Sequence, residues 1–101
     1  MAGEKLFENK VKKWLKSNNI WYFKVWGSMF QKAGVPDILA CVGGRFVALE
    51  IKDEKGKPSK LQEYVISEIN KSGGYARFVY PSDYDELTSE LQALLPSSEM
   101  F

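Results

Sequence analysis

Phe7, Val11, Trp14 and Leu15 fall at the i, i+4, i+7, i+8 positions of one helical face, and polar residues fill most places between them. That spacing predicts an amphipathic helix from about Gly3 to Ser17. Lys10, Lys12, Lys13 and Lys16 occupy its wet side, and Glu4 and Glu8 lie one turn apart on the flank of the stripe. Asn18-Asn19 ends it. Ile20 to Trp26 carries aromatic or branched side chains at nearly every position, the pattern of a strand covered on both faces. Gly27 to Pro36 reads as a loop, with Ser28, Gln31 and Lys32 as the side chains able to meet a ligand.

Two apolar runs follow, Ile38 to Val42 and Arg45 to Leu49, joined by Gly43-Gly44. A two-residue glycine connection between such runs predicts a β-hairpin. Counting outward from it pairs Val42 with Arg45, Leu39 with Ala48 and Asp37 with Glu50. The charged stretch Asp53 to Pro58 is a turn, and Ser59 with Gln62 has the spacing of a capping box. It opens a helix to about Lys71 with Leu61, Val65 and Ile69 inward, closed by Gly73-Gly74. Tyr75 to Tyr80 predicts a strand stopped by Pro81. Ser82 then caps a last helix with Tyr84, Leu87, Leu91, Leu94 and Leu95 in its core stripe, before a frayed tail from Pro96. The order α-β-β-β-α-β-α implies an α/β fold with a mixed four-stranded sheet flanked by helices.

At 101 residues, with 45% apolar and 27% charged positions, the chain is expected to be a single globular domain, 1–101. Such a domain buries about two thirds of the surface its unfolded chain exposes. A net charge of +1 excludes a global attraction to nucleic acid, so any grip on phosphates must be local. The single cysteine, Cys41, forms no intrachain disulfide and reads as a small core residue, in keeping with a reducing compartment. No signal-like or membrane-spanning run is present, so the expected location is the cytoplasm, the host's if the protein is phage-encoded. There are no histidines, so a metal would be held by oxygens, which favours magnesium or manganese.

The hairpin register carries the chemistry. Opposed residues share a face with Cβ atoms roughly 5 Å apart, and Lys52 lies on the same face as Glu50. Two carboxylates at that separation repel by roughly 3 kcal/mol at an effective dielectric near 20, so Asp37 and Glu50 need a cation. Lys52 supplies part of it, and a divalent metal would supply more. Lys55, Lys57 and Lys60 cluster just beyond, where phosphates can be gripped, and Lys12, Ser28 and Lys32 join them as candidate contacts to a phosphate-bearing ligand. With no base-reading motif in the chain, recognition by shape and backbone is expected.

Pro36-Asp37 opening one strand, Glu50-Ile51-Lys52 ending its partner, and a preceding helix bearing glutamate resemble the PD-(D/E)xK nuclease superfamily. With Gly34-Val35 before Pro36-Asp37 and Gln62 on the next helix, the chain resembles the VRR-NUC (virus-type replication-repair nuclease) family over roughly Glu8 to Tyr80. That family includes domains of repair enzymes and small stand-alone phage proteins, and the chain has the length of the latter. The resemblance implies a restriction-endonuclease-like core with Asp37, Glu50 and the Ile51 carbonyl as metal ligands. Lys52 would orient or help deprotonate the attacking water, and Gln62 and Glu8 would complete the catalytic set, with Glu4 as an alternative to Glu8.

The activity it implies is Mg2+- or Mn2+-dependent hydrolysis of phosphodiester bonds in branched DNA, four-way junctions or flaps, by a homodimer acting in replication, repair or recombination. The alternatives are an archaeal-type Holliday junction resolvase, a restriction-like endonuclease, or a noncatalytic DNA-binding or scaffold domain.

Overall fold

The computed structural model describes residues 2–26 and 33–96, and its elements follow the expected order. They are α1 (Ala2–Ser17), β1 (Trp21–Lys24), β2 (Ile38–Val42), β3 (Arg45–Ile51), α2 (Lys60–Lys71), β4 (Tyr75–Val79), a 3-10 turn (Pro81–Asp83) and α3 (Tyr84–Leu94). The strands form one sheet in the order β1-β2-β3-β4. β1, β2 and β3 are antiparallel neighbours, whereas β4 runs parallel to β3 after the α2 crossover, so the sheet is mixed.

Alternation along the strands divides the core. Val47, Leu49 and Ile51 of β3 pack with Ile38, Ala40 and Val42 of β2 against Phe7, Val11 and Leu15 of α1 and Leu87 and Leu91 of α3. Ala48 turns to the other face, where Ile66 and Ile69 of α2 meet Leu39, Ala76 and Phe78. Glu50, in step with Ala48, lies on that α2 face.

Several expectations are corrected here. β1 is an edge strand covered on one side only, with Trp21 67% and Phe23 49% exposed, because α2 lies over β3 and β4 and leaves this end of the sheet bare. Cys41, paired with Phe46 on the same bare face, is exposed and not a core residue. α2 is rotated from the predicted stripe. Leu61 is 45% exposed, and Ile66 is the buried residue, one turn after Gln62. Ser82 caps no helix, since its N–H and hydroxyl both bond the Glu54 carboxylate, at 2.7 and 3.3 Å. The turn is closed instead by Asp83, which accepts the Tyr80 N–H at 2.9 Å.

Side chains take most of the outward backbone groups of β4. Lys52 N–H reaches the Val79 carbonyl at 2.9 Å, so Val79 faces β3 and the backbone groups of Ala76, Phe78 and Tyr80 point outward. The Asn70 amide takes both groups of Ala76, each at 2.9 Å. Arg77 donates from Nε to the Phe78 carbonyl at 3.1 Å, while Asp83 holds Tyr80. No comparable set covers β1 among the described residues. No helix among them is long and apolar enough to cross a membrane.

Candidate active site

The ladder between β2 and β3 runs from Val42↔Arg45 to Ile38↔Leu49, with Leu39 opposite Ala48, as the two-glycine turn predicts. Gly43 and Gly44 take φ of 58° and 83°, the paired positive values of a tight hairpin turn. Regular pairing stops at Ile38, one residue before Asp37. Asp37 is positioned instead by its own bonds: its carbonyl accepts the Val25 N–H at 2.7 Å, and its Oδ2 accepts the Ile51 N–H at 2.8 Å.

The approach to Asp37 is tightly built. Gly34 has φ of 84°, and a Cβ there would stand 2.8 Å from Leu61 Cγ and 3.1 Å from the Leu61 carbonyl oxygen. The loop thus lies directly on the start of α2, and Pro36 behind it is fully buried. Leu61, unused in the core, serves as the floor of this loop.

Asp37 is close enough to Glu50 to oppose its ionisation. Glu50 is only 5% exposed. Burial, first, and then the charge and hydrogen bond of Asp37 push its carboxyl up to about 8, against a weaker opposing pull from Lys52 and with a small further push from Glu4. Lys52 Nζ stands 4.0 Å from Glu50 Oε2, its stem folded beside Gly56. Gln62 donates from Nε2 to the same oxygen at 3.3 Å. Its Oε1 simultaneously accepts the Ser59 N–H at 3.0 Å, while Ser59 Oγ accepts the Gln62 N–H at 3.1 Å. One side chain therefore caps α2 and touches Glu50 without changing conformation.

Ile51 N–H turns to Asp37 while the next amide turns to β4, and a residue's N–H and carbonyl share a side of the strand. The Ile51 carbonyl therefore faces the Asp37 side. Among the described residues no group of three or more Asp, Glu, His or Cys side chains comes together as a metal set, so the acidic donors here are this pair.

Glu8 belongs to a different arrangement. It is 5% exposed and surrounded by ammonium groups: Lys24 Nζ at 2.6 Å, Lys12 at 3.2 Å and Lys5 at 3.7 Å. Burial pushes its carboxyl up, but Lys24 and Lys12 together outweigh burial and hold it below the usual carboxylate range. Its Oε2 receives no well-aligned hydrogen bond, so Lys12 compensates it by charge. Lys12 is thereby engaged within the protein. Lys24 also lies 4.0 Å from Asp37 Oδ1, which links Glu8 to the carboxylate pair.

Lys24 is the site residue that sequence reasoning missed. Its signal is alternation, since Lys24 shares the inner side of β1 with Tyr22 and ends the strand beside Asp37. Lys55, Lys57 and Lys60 are exposed beside the start of α2. Ser28, Gln31 and Lys32 lie outside the described residues. Comparison with protein-family models, with curated proteins and with solved structures finds no match to this chain.

Proposed function

We propose that the chain is a Mg2+- or Mn2+-dependent DNA endonuclease of the VRR-NUC type, built on a restriction-endonuclease-like core and acting on branched DNA. The observation that carries the reading is the convergence of Asp37, Glu50 and Lys52 at one end of the sheet, with Gln62 hydrogen-bonded to Glu50.

The donor chemistry fits a hard divalent cation. Asp37 and Glu50 offer carboxylate oxygens beside the Ile51 carbonyl, and the raised Glu50 carboxyl marks a buried place that is short of positive charge. A cation held there would neutralise charge developing on the phosphate and lower the pKa of a nucleophilic water.

The chain's own groups do the rest. Ile51 N–H fixes one oxygen of Asp37, and Gln62 fixes one oxygen of Glu50, so the pair keeps its orientation. Lys52 orients the attacking water and takes part in moving its proton. The exposed Lys55, Lys57 and Lys60 grip the backbone locally, which a net charge of +1 permits without general attraction.

Labelled flap and four-way junction substrates with Mn2+ test the reading. The protein is expected to cut one or both, and Lys52→Ala to slow cutting by at least about 100-fold. No cutting, or cutting indifferent to Lys52→Ala, sinks it. Symmetric paired nicks would favour a resolvase of the archaeal type, cuts at a fixed sequence a restriction-like enzyme, and tight DNA binding without metal uptake a noncatalytic domain.

One small domain offers one active site, and two cuts require two, so the proposed acting form is a homodimer. Sedimentation at micromolar protein is expected to show the dimer. Monomer alone, with and without DNA, removes that part of the proposal.

A further inference from the structure

Glu8 carries a buried carboxylate with no role in the chemistry above, and Lys24 a mostly buried ammonium with none either. Lys24 Nζ lies between two carboxylates, 2.6 Å from Glu8 Oε1 and 4.0 Å from Asp37 Oδ1. The other Asp37 oxygen is already held by Ile51 N–H. Asp37 is thus hydrogen-bonded at one oxygen by backbone and faced at the other, across 4.0 Å, by the ammonium of a lysine that is paired with Glu8 of α1.

Glu8 is poorly placed to act directly. Its carboxylate meets three lysines and sits among α1 neighbours that pack on the opposite face of the sheet from Glu50. Its shortest contact is Lys24, the only one of the three lysines that also reaches an acidic residue of the site.

We propose that Lys24 is a positioning residue for Asp37 and that Glu8 acts on the site only through Lys24. This rests on the metal-site reading above, and it assigns α1 the task of bracing the Asp37 carboxylate instead of supplying a ligand. Lys24 acts on Asp37 by charge across 4.0 Å, and the Glu8 carboxylate, itself countered by Lys12 and Lys5, offsets only part of that attraction. Loss of a group that orients a ligand commonly costs about tenfold in metal affinity.

The test is Mn2+ binding, followed by electron paramagnetic resonance of free Mn2+, on wild type, Lys24→Met, Lys24→Arg, Glu8→Gln and the Glu8→Gln/Lys24→Met double variant, with circular dichroism as the fold check. Lys24→Met is expected to weaken binding by about tenfold. The double variant is expected to match Lys24→Met within about twofold, and Lys24→Arg to return to within about threefold of wild type.

Two results overturn the inference while leaving the metal site standing: Lys24→Met binding Mn2+ as wild type does, or Glu8→Gln costing a further tenfold once Lys24 is Met, which would make Glu8 a ligand. Wild type that binds no Mn2+ removes the metal site and the inference with it. If Lys24→Met fails to fold, the double variant, which removes both members of the Glu8–Lys24 pair together, takes its place beside wild type. Binding weakened by about tenfold, and by more than in Glu8→Gln alone, then supports positioning, and binding equal to wild type or to Glu8→Gln overturns it.

Discussion

Glu50→Gln is expected to abolish DNA cleavage, by about 1,000-fold or more, and to make the metal-free protein more stable, raising its melting temperature at pH 8 by about 10 °C. The two effects have one cause. Glu50 is 5% exposed beside Asp37, so its charged form is disfavoured and its carboxyl is pushed up to about 8 from an ordinary 4.5. Between those values the folded chain binds more protons than the unfolded one. The stability this contributes is complete below about 4.5 and is lost as pH rises through 8. The cost at pH 8 is a few kcal/mol, by linkage.

Glutamine keeps the shape and removes the charge, so the fall in melting temperature of the metal-free wild type from pH 5 to pH 8 should flatten in the variant. Thermal melts at the two pH values, alongside cleavage assays with Mn2+, measure both. A wild-type melting temperature unchanged across that window would remove the burial argument, and cleavage surviving in Glu50→Gln would remove the ligand argument.

Gly43→Ala is expected to destabilise the protein by about 3 kcal/mol or more, lowering its melting temperature by about 15 °C. Gly44→Ala, one residue on, should cost only about 1 kcal/mol. Both glycines have positive φ and bear the usual strain of a side chain there. Their surroundings differ sharply. A Cβ on Gly43 would stand 1.7 Å from the carbonyl oxygen of Leu94 and 2.7 Å from its carbonyl carbon, while nothing lies within 4 Å of one on Gly44. Relief at Gly43 requires moving the end of α3 off the hairpin. Denaturant unfolding of the two variants measures the difference, and equal losses would show that α3 does not rest on the turn.

Much of the hairpin was legible because a two-residue glycine loop leaves one count of pairs, and that count places Leu39 against Ala48 as observed. The α1 stripe was legible for a similar reason: Phe7, Val11 and Leu15 are spaced for one face and are all buried. The rotation of α2 was not. Leu61 and Ile66 satisfy helical spacing equally well, and only the loop bearing Gly34, arriving from elsewhere in the chain, occupies Leu61 and leaves Ile66 to the sheet.

β1 misled because continuous hydrophobicity describes a doubly covered strand and an aromatic edge alike, and the difference lies in how far α2 extends. For the candidate site, local spacing named Asp37, Glu50, Lys52 and Gln62, which the fold brings together. The pairing of Lys24 with Glu8 depends on α1 and β1 meeting in space, which no local pattern records.

The two edges of the sheet set a rule for how copies of this protein can add to one another. A strand ladder lengthens without limit only when each newcomer offers a fresh edge in turn. Here Asn70, Arg77 and Asp83 take most of the outward backbone groups along β4, and the described residues leave β1 without such cover. A second copy joining β1 to β1 would present β4 outward on both sides. Among the described residues, edge pairing through β1 alone would therefore end at two copies, with further addition hindered at β4.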